Sequence, residues 1–418
     1  MTGKRLRFLF LALCIGAAIG AFIWGFLRVM GIGQELLFTA LPKQIHIPCF
    51  VLVVCILGGV IIGVYEKIFH ASPDNMEVVM AVIKKEGKYP CDHLAIRTIA
   101  ALLPLIFGAS LGPEAGLTGI IAGLCFWAGG RFRYAGKHME ELSHIGLGAS
   151  LGVIFRSPLF GYSFSVEEDD TSTEYSKTVK MVTYITAILG GFGVFVLLGI
   201  LFGGGAGLPR LSGSDIGNRE RFFVILLIPA GIVAGIVYTI SHAASSRFFD
   251  VLKKKCGVVV CAVLGGICLG VFGMLLPFSM FSGEAQMEVL AETYLEYTPV
   301  LLIGVGIGKI FLTNVCIQSG WKGGHFFPVI FAGVSIGYGM GMICSVEPVF
   351  AAAVVTSALL GYMMKKPVAV VLLMMLCFSM DAVVWMLAAS AAGAGVSALL
   401  QGRIENTAGN VNTNENDG

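Results

Sequence analysis

The sequence predicts an all-α polytopic membrane protein whose two halves form an inverted repeat with broken and re-entrant helices. Of its 418 residues, 56% are hydrophobic and only 13% are charged, whereas about 25% of the residues of a soluble domain are charged. The apolar residues form a long series of segments, and several of these are too short or too glycine-rich to be simple spans. The interruptions recur at matching positions in the two halves, which is the pattern of inverted-repeat membrane folds.

The first apolar segment predicts a membrane helix and not a cleaved signal peptide. A basic stretch, Met1–Arg7, is followed by an uninterrupted apolar run over 8–27. That run has about the 20 residues that a helix needs to cross the hydrocarbon, more than the apolar core of a signal peptide contains. The lysine and arginines before it predict a cytoplasmic N-terminus by the positive-inside rule. We therefore expect a multi-pass protein of the cell membrane.

The later segments leave no room for a soluble domain. Further apolar runs lie at 49–66, 94–108, 114–129, 143–166, 179–203, 221–241, 257–278, 298–316, 326–344, 348–363 and 367–400. Basic loops are predicted at 131–137 and 247–255. The boundaries that follow are a first half-repeat over 1–204, a second over 205–403, and a disordered polar tail over 404–418.

Two pairs of sequence landmarks indicate the repeat. The sequence GPEAG at 112–116 and the sequence GGHFFP at 323–328 each open an apolar run, and Gly112 falls on Gly324 at an offset of 212 residues. The pairs Ser157-Pro158 and Lys366-Pro367 follow them at an offset of 209 residues. Agreement within three residues indicates a duplicated unit. The alternative is chance recurrence of Gly and Pro in a glycine-rich chain.

Glu114 is the first charged residue that needs an explanation. It lies between apolar stretches, and a charge at the bilayer centre costs about 2.5–3.5 kcal/mol. Gly112 and Pro113 before it predict the start of a helix, where free backbone N–H groups favour a negative charge. A carboxylate in this position can fill an anion site or leave it. The alternative is an ordinary first-turn glutamate at a solvated edge of the membrane.

Two more helix starts extend this site. The matching start at Gly323–Phe326 offers free backbone N–H groups, with Phe327 as an apolar wall and Lys322 as a source of positive potential. Ser72, followed by Pro73, predicts a third start with the serine as its N-cap. Three helix N-termini that converge in the membrane could bind a small anion without a full positive charge. Each start alone could also be an ordinary packing turn or helix cap.

These motifs resemble those of the CLC family of chloride channels and chloride/proton exchangers. The sequence at 112–116 is similar to the family's G-R/K-E-G-P, and that at 323–328 to its G-x-F-x-P. The segment SPLFG at 157–161, which leads to Val166-Glu167-Glu168, is similar to its A-P-L-x-G segment with paired glutamates. The likeness covers residues 8 to about 400 in matching order.

The resemblance implies roles for individual residues. It makes Glu114 the gating glutamate, which competes with the anion and takes up protons, and Glu168 the inner proton-transfer glutamate. It assigns the backbone N–H groups of His325 and Phe326 to the central anion, and Arg97 to electrostatic support. Ser72 is the nearest equivalent of the family's anion-binding serine. An acidic loop at a helix end is the alternative for Glu168.

The sequence departs from the family pattern at the site itself. Pro113 replaces the basic residue before the glutamate, and Ala115 and Gly116 replace the usual Gly-Pro. The G-S-G-I-P motif is not present, and Asp74 follows the substitute Ser72 closely. Anion preference and proton coupling therefore stay open at this point.

The expected function is CLC-type transport of a small inorganic anion, with chloride as the first expectation, either by chloride/proton exchange or as a channel. A fluoride-selective CLC-type transporter is the nearest alternative. The resemblance also implies a homodimer.

No cofactor, metal or nucleic acid is expected, because the cysteines and histidines lack metal-ligand spacing and the net charge is only +2. An intramembrane enzyme would need a nucleophile–base pair or a metal cluster, and a scaffold without transport activity would have no use for charges within the membrane.

Overall fold

The computed structural model describes residues 2–45, 47–70, 78–79, 81–82, 85, 89, 92–131, 139–155, 157, 160, 177–204, 208–211, 213 and 216–415. The first half of the described chain contains helices α1 (Thr2–Glu35), α2 (Leu41–Gln44), α3 (Phe50–Phe69), α4 (Leu94–Ile106), α5 (Glu114–Arg131), α6 (Met139–Ile154) and α7 (Lys177–Phe202). The second half contains α8 (Asn218–Leu275), α9 (Glu284–Thr293), α10 (Pro299–Ser319), α11 (Phe326–Cys344), α12 (Pro348–Met364), α13 (Pro367–Met374) and α14 (Val383–Glu415).

Seven helical stretches in the described part of the chain are long and apolar enough to cross a membrane. They include the first one, Leu9–Gln44, as the sequence predicts. Three apolar helices are shorter: Leu94–Ile106, Glu114–Trp127 and Pro348–Met364. The broken helices of the prediction are therefore present.

Helix α8 differs from the prediction. The sequence predicts a basic loop at 247–255, but the structure continues the helix through these residues to a kink at Gly257, where φ is 82° and ψ is 173°. Lysine and arginine are good helix formers, and the break falls on the one residue type that adopts positive φ without strain. A basic, exposed helical segment thus replaces the loop.

The chain divides into two compact units. The first comprises Met1–Pro209, Ser241–Gln286 and Gly308–Pro328. Within it α1 packs along α7, where a side chain at Gly16 or Gly20 would overlap the backbone of the facing helix. Such close approach through small residues is the usual way in which membrane helices gain packing energy. The candidate site residues that the structure describes lie in this unit.

The second unit comprises Arg210–Ile240, Met287–Ile307 and Val329–Gly418. Its centre is α12, whose residues from Phe350 to Tyr362 are all buried. The helix begins with Glu347 as its N-cap, because the carboxylate accepts a hydrogen bond of 2.6 Å from the N–H of Phe350. Glycines at 333, 337, 361 and 393 let α11 and α14 approach its backbone.

At the C-terminal end, helix α14 continues to Glu415 and so enters the segment 404–418, for which the sequence predicts a disordered polar tail. Extending an existing helix needs no new nucleus, so a polar segment can follow the apolar one in helical form.

Candidate functional site

The two repeat landmarks meet each other in the structure. The N–H of Gly112 donates to the carbonyl oxygen of Gly324 at 2.8 Å, and the N–H of Gly324 donates back to Gly112 at 2.8 Å. The pair forms an isolated antiparallel bridge. Each glycine stands two residues before a helix, α5 at Glu114 and α11 at Phe326. The bridge therefore holds two helix N-termini side by side.

Glu114 occupies the space between these two helix starts. Its Oε1 accepts a hydrogen bond of 2.8 Å from the backbone N–H of Phe326, and the residue is only 1% exposed. The first residue of α5 thus satisfies an N–H group at the start of α11, where unpaired donors and the helix dipole favour a negative charge. A side chain at Gly112 or Gly324 would overlap this carboxylate, so only glycine leaves room for it.

The second carboxylate oxygen has a different environment. Oε2 of Glu114 is buried, and the described part of the chain supplies no hydrogen-bond partner for it. A buried acceptor without a donor is unfavourable. A proton on this oxygen would remove the charge and leave the bond at Oε1 possible. Oε1 is therefore suited to accept the hydrogen bond from Phe326, and Oε2 is suited to take up a proton.

An aromatic cluster covers one side of these helix starts. Phe155 stacks on Phe327 with ring centroids 4.8 Å apart and an interplanar angle of 11°, and it meets Phe326 edge-on at 6.2 Å. Phe160 contacts the ring of Phe155, with ring centroids 5.1 Å apart. Ser157 accepts a hydrogen bond of 3.2 Å from the N–H of Phe160. All four rings are buried, so this side of the helix starts is apolar.

Arg97 lies on α4 and is half-buried. Its Nη1 donates to the hydroxyl oxygen of Tyr89 at 3.3 Å, and its guanidinium lies 5.7 Å from the centre of that ring. The Tyr89 hydroxyl would be 3.1 Å from a Cβ atom at Gly119. These contacts place Arg97 beside the flank of α5, through Tyr89.

The remaining predicted site residues fall into two groups. His325 stacks on Phe326, with ring centroids 4.6 Å apart, and both His325 and Lys322 are half-buried. Ser72 and Glu168, together with Pro73, Asp74 and Glu167, lie outside the described residues.

With this geometry established, comparison with known proteins identifies the family. A family model described as "Voltage gated chloride channel" matches residues 58–398. The chain belongs to the CLC family. Members of this family are transporters or channels and not enzymes. The chain is therefore a multi-pass CLC membrane protein that transports anions.

Relatives and solved CLC structures match this chain over most of its length. "Putative ion-transport protein YfeO" of Shigella flexneri is 24% identical over 359 residues, which cover 84% of this chain and 82% of the relative. The structure of a slow cyanobacterial Cl⁻/H⁺ antiporter matches with a TM-score of 0.80 at 20% identity, over 95% of both chains. That of a CLC-type fluoride/proton antiporter matches with a TM-score of 0.75 at 17% identity, over 95% of this chain and 96% of the other. The predicted fold class, with its inverted repeat and broken helices, is confirmed.

The CLC resemblance led to Glu114 and Phe326 but not to Phe155. The one sequence feature that points to Phe155 is its place two residues before the Ser157-Pro158 landmark. The departure at Pro113 is accommodated, because the carbonyl oxygen of Pro113 accepts the first helical bond, from Leu117 at 3.0 Å, and the missing N–H is not needed there.

Proposed function

We propose that this CLC protein exchanges chloride for protons across the cell membrane, and that Glu114 both blocks the anion and carries the proton. The observation that supports this most directly is the bond from the Phe326 N–H to Oε1 of Glu114. The N–H groups at a helix start are a common anion site. A carboxylate that takes one of them competes with the transported anion for it.

Protonation offers the means of release. An ionised carboxylate binds strongly to a helix N-terminus, because a charge-assisted hydrogen bond is about twice as strong as a neutral one. Once Oε2 carries a proton, this advantage is lost and a chloride ion can replace the side chain. The same side chain then exchanges a proton with the opposite solution. One residue thereby links the anion flux to the proton flux.

Other residues complete the proposed pathway. Glu168 passes protons between Glu114 and the cytoplasm, with Glu167 as the alternative. Ser72 binds the anion with the N–H groups of His325 and Phe326, and Arg97 adds positive potential. The protein works as a homodimer with one pathway in each subunit and a cytoplasmic N-terminus. Chemical cross-linking in detergent and protease access to an N-terminal tag test these last two points.

Fluoride is the second candidate substrate. It is supported by the similarity of the fold to that of a CLC-type fluoride/proton antiporter. The missing G-S-G-I-P motif gives a further reason, because the serine loop is where anion choice is expected to be set. A channel that moves the same anion without protons is the other form that the fold can take.

Purified protein in liposomes tests all three forms together. Vesicles loaded with chloride or with fluoride are diluted into anion-free buffer, a potassium ionophore clamps the voltage, and an anion electrode and a pH dye record both fluxes. Chloride efflux with proton uptake supports the proposal. Preference for fluoride with proton uptake supports the second candidate, and anion efflux without proton movement supports a channel. Efflux of both anions equal to that of protein-free vesicles contradicts anion transport itself.

A further inference from the structure

A buried lysine lies in the middle of α10. Lys309 has no exposed surface, and four consecutive backbone carbonyl oxygens lie within hydrogen-bond distance of its ammonium group, whose three N–H donors they share. The distances from Nζ are 2.8 Å to Phe278, 3.3 Å to Ser279, 3.0 Å to Met280 and 3.1 Å to Phe281. We refer to residues 278–281 as the carbonyl turn. Four carbonyl dipoles that point at one cation form a strong, well-defined contact, because each bond is charge-assisted.

The carbonyl turn has a backbone that needs such support. Phe278 and Phe281 have φ angles of 59° and 60°. Bulky residues seldom adopt the left-handed region, and they remain there only where the surroundings determine it. The ammonium group of Lys309 is the feature that all four carbonyl oxygens share. It therefore fixes the shape of the turn.

The carbonyl turn contacts the segment that leads to Glu114. The N–H of Phe281 donates to the carbonyl oxygen of Gly108 at 3.0 Å. Gly108 has a φ of 78° and lies against the side chains of Met280 and Phe38, so it has no room for a Cβ atom. We refer to residues 107–113 as the gate loop, because they connect α4 to the first residue of α5. Lys309 acts on the gate loop through one hydrogen bond of the carbonyl turn.

A second contact joins α10 to the gate loop directly. Thr313 follows Lys309 by one helical turn and is fully buried. Its hydroxyl oxygen lies 3.2 Å from that of Ser110, in hydrogen-bond contact. Residues four apart lie on the same face of a helix, so Lys309 and Thr313 face the same region. The gate loop is thus held at Gly108 and at Ser110, just before its bridge at Gly112.

We propose that Lys309 is a positioning residue of the CLC gate: with Thr313 it holds the gate loop in the register that lets Glu114 reach the N–H of Phe326. The inference rests on the proposed role of Glu114. It adds a residue with no expected contact to the anion or the proton. Its charge serves to order backbone carbonyl groups, and the effect reaches the gate through the Gly108 and Gly112 hydrogen bonds.

The first test does not require transport. Hydrogen–deuterium exchange by mass spectrometry follows peptides over 107–117 in wild type, Lys309→Met and Lys255→Met. Lys255 is an exposed lysine on α8, so its replacement is a matched loss of charge. We expect Lys309→Met to speed exchange in 107–117 by roughly fivefold, the factor expected from the net loss of one hydrogen bond. Peptides over 348–364 should not change. Equal exchange in 107–117 for all three proteins would overturn the proposal.

The second test separates positioning from general damage. In liposomes Lys309→Met should raise anion efflux and lower the number of protons moved per anion, because Glu114 closes the site less often. When Glu114→Ala is already present, Lys309→Met should add no further change, since both act through the same side chain. Effects that add in the double variant overturn the proposal. If Lys309→Met does not fold, Ser110→Ala and Thr313→Val take its place in both tests, and unchanged exchange and efflux in both overturn it.

The two proposals fail in different ways. Wild-type protein that moves neither chloride nor fluoride contradicts the proposed function, whereas the exchange result for 107–117 still decides the role of Lys309. Transport that depends on Glu114 but not on Lys309, Ser110 or Thr313 leaves the proposed function in place and removes the positioning role.

Discussion

Gly112 and Gly324 donate a backbone hydrogen bond to each other, both at 2.8 Å, and so bring together two helix starts that lie 212 residues apart. The bridge has a direct consequence for Glu114, because both glycines border its carboxylate. The pair therefore decides where that carboxylate can lie. This relationship can be tested without touching the glutamate.

Gly324→Ala should release the carboxylate of Glu114 from the Phe326 N–H. The new Cβ atom overlaps the end of a flexible side chain, so the carboxylate moves and the backbone does not. We expect faster anion efflux from liposomes and weaker proton coupling, with little loss of thermal stability. Gly304→Ala is the matched control, because Gly304 lies in helix α10 with open space around it. Proton coupling as in wild type would show that the carboxylate keeps its place.

The offset of 212 residues predicts the two helix starts that the structure brings together. It aligns Gly112 with Gly324, and the same offset relates Glu114 to Phe326, the first residues of α5 and α11. A helix start leaves a local signature of Gly and Pro, and the duplication makes that signature visible twice. For this reason the sequence predicts both helix starts and the charged residue between them.

The support of the site could not be predicted in this way. Lys309 appears in the sequence as a lysine within an apolar run, and its four carbonyl partners at 278–281 are defined only by the folded backbone. Phe155 likewise becomes part of the site through a stacking contact with a ring far along the chain. Such contacts depend on tertiary packing and leave no periodic or motif signal. The sequence does not predict the extension of helix α8 through 247–255, because clustered charges are compatible with a loop and with a helix equally well.

Phe155→Ala should destabilise the protein. Phe155 is 1% exposed and contacts three other aromatic rings. Replacing such a buried phenylalanine leaves a cavity and costs about 3–5 kcal/mol. Thermal unfolding in detergent measures this loss as a lower midpoint. Phe10→Ala serves as the control, since Phe10 is 67% exposed and its loss should cost less than about 0.5 kcal/mol. Equal midpoints for the two variants would contradict the packing role.

Arg97→Met should weaken anion binding without disturbing the fold. Arg97 reaches the flank of α5 through Tyr89, and in the proposed function its charge raises the local concentration of anions without contact. A charge that acts on the anion without touching it contributes on the order of 1 kcal/mol. We therefore expect a several-fold weaker anion affinity, measured by calorimetry. Arg97→Lys should have a smaller effect, because it keeps the charge. Arg247→Met removes an exposed arginine and should bind as wild type does. Equal isotherms for Arg97→Met and wild type argue against electrostatic support.

Glu168→Gln should stop proton movement while anion flux continues. Glu168 lies outside the described residues, so this prediction rests on the CLC resemblance of the segment 157–168. An amide cannot accept and release a proton, although it keeps the size of the side chain. The pH dye and the anion electrode in liposomes measure both fluxes at once. Glu167→Gln is the matched control. If Glu167→Gln uncouples the fluxes and Glu168→Gln does not, the proton-transfer role passes to Glu167.

The last prediction concerns Glu114 and the mechanism as a whole. Glu114→Gln keeps the shape of the side chain but has no charge, so it imitates the protonated form permanently. Glu114→Ala removes the group that occupies the Phe326 N–H and leaves that donor free for an anion. Both variants should pass anions without moving protons.

Binding separates the two variants further. Glu114→Ala should bind an additional anion per subunit, because the N–H of Phe326 becomes available, and calorimetry reports this as a higher stoichiometry than in wild type. The matched control is Glu288→Gln, which neutralises an exposed glutamate on α9 and should change neither coupling nor stoichiometry. A Glu114→Ala protein that still drives protons uphill with an anion gradient would show that another residue carries the proton, and the bond between Glu114 and Phe326 would then be a structural helix cap.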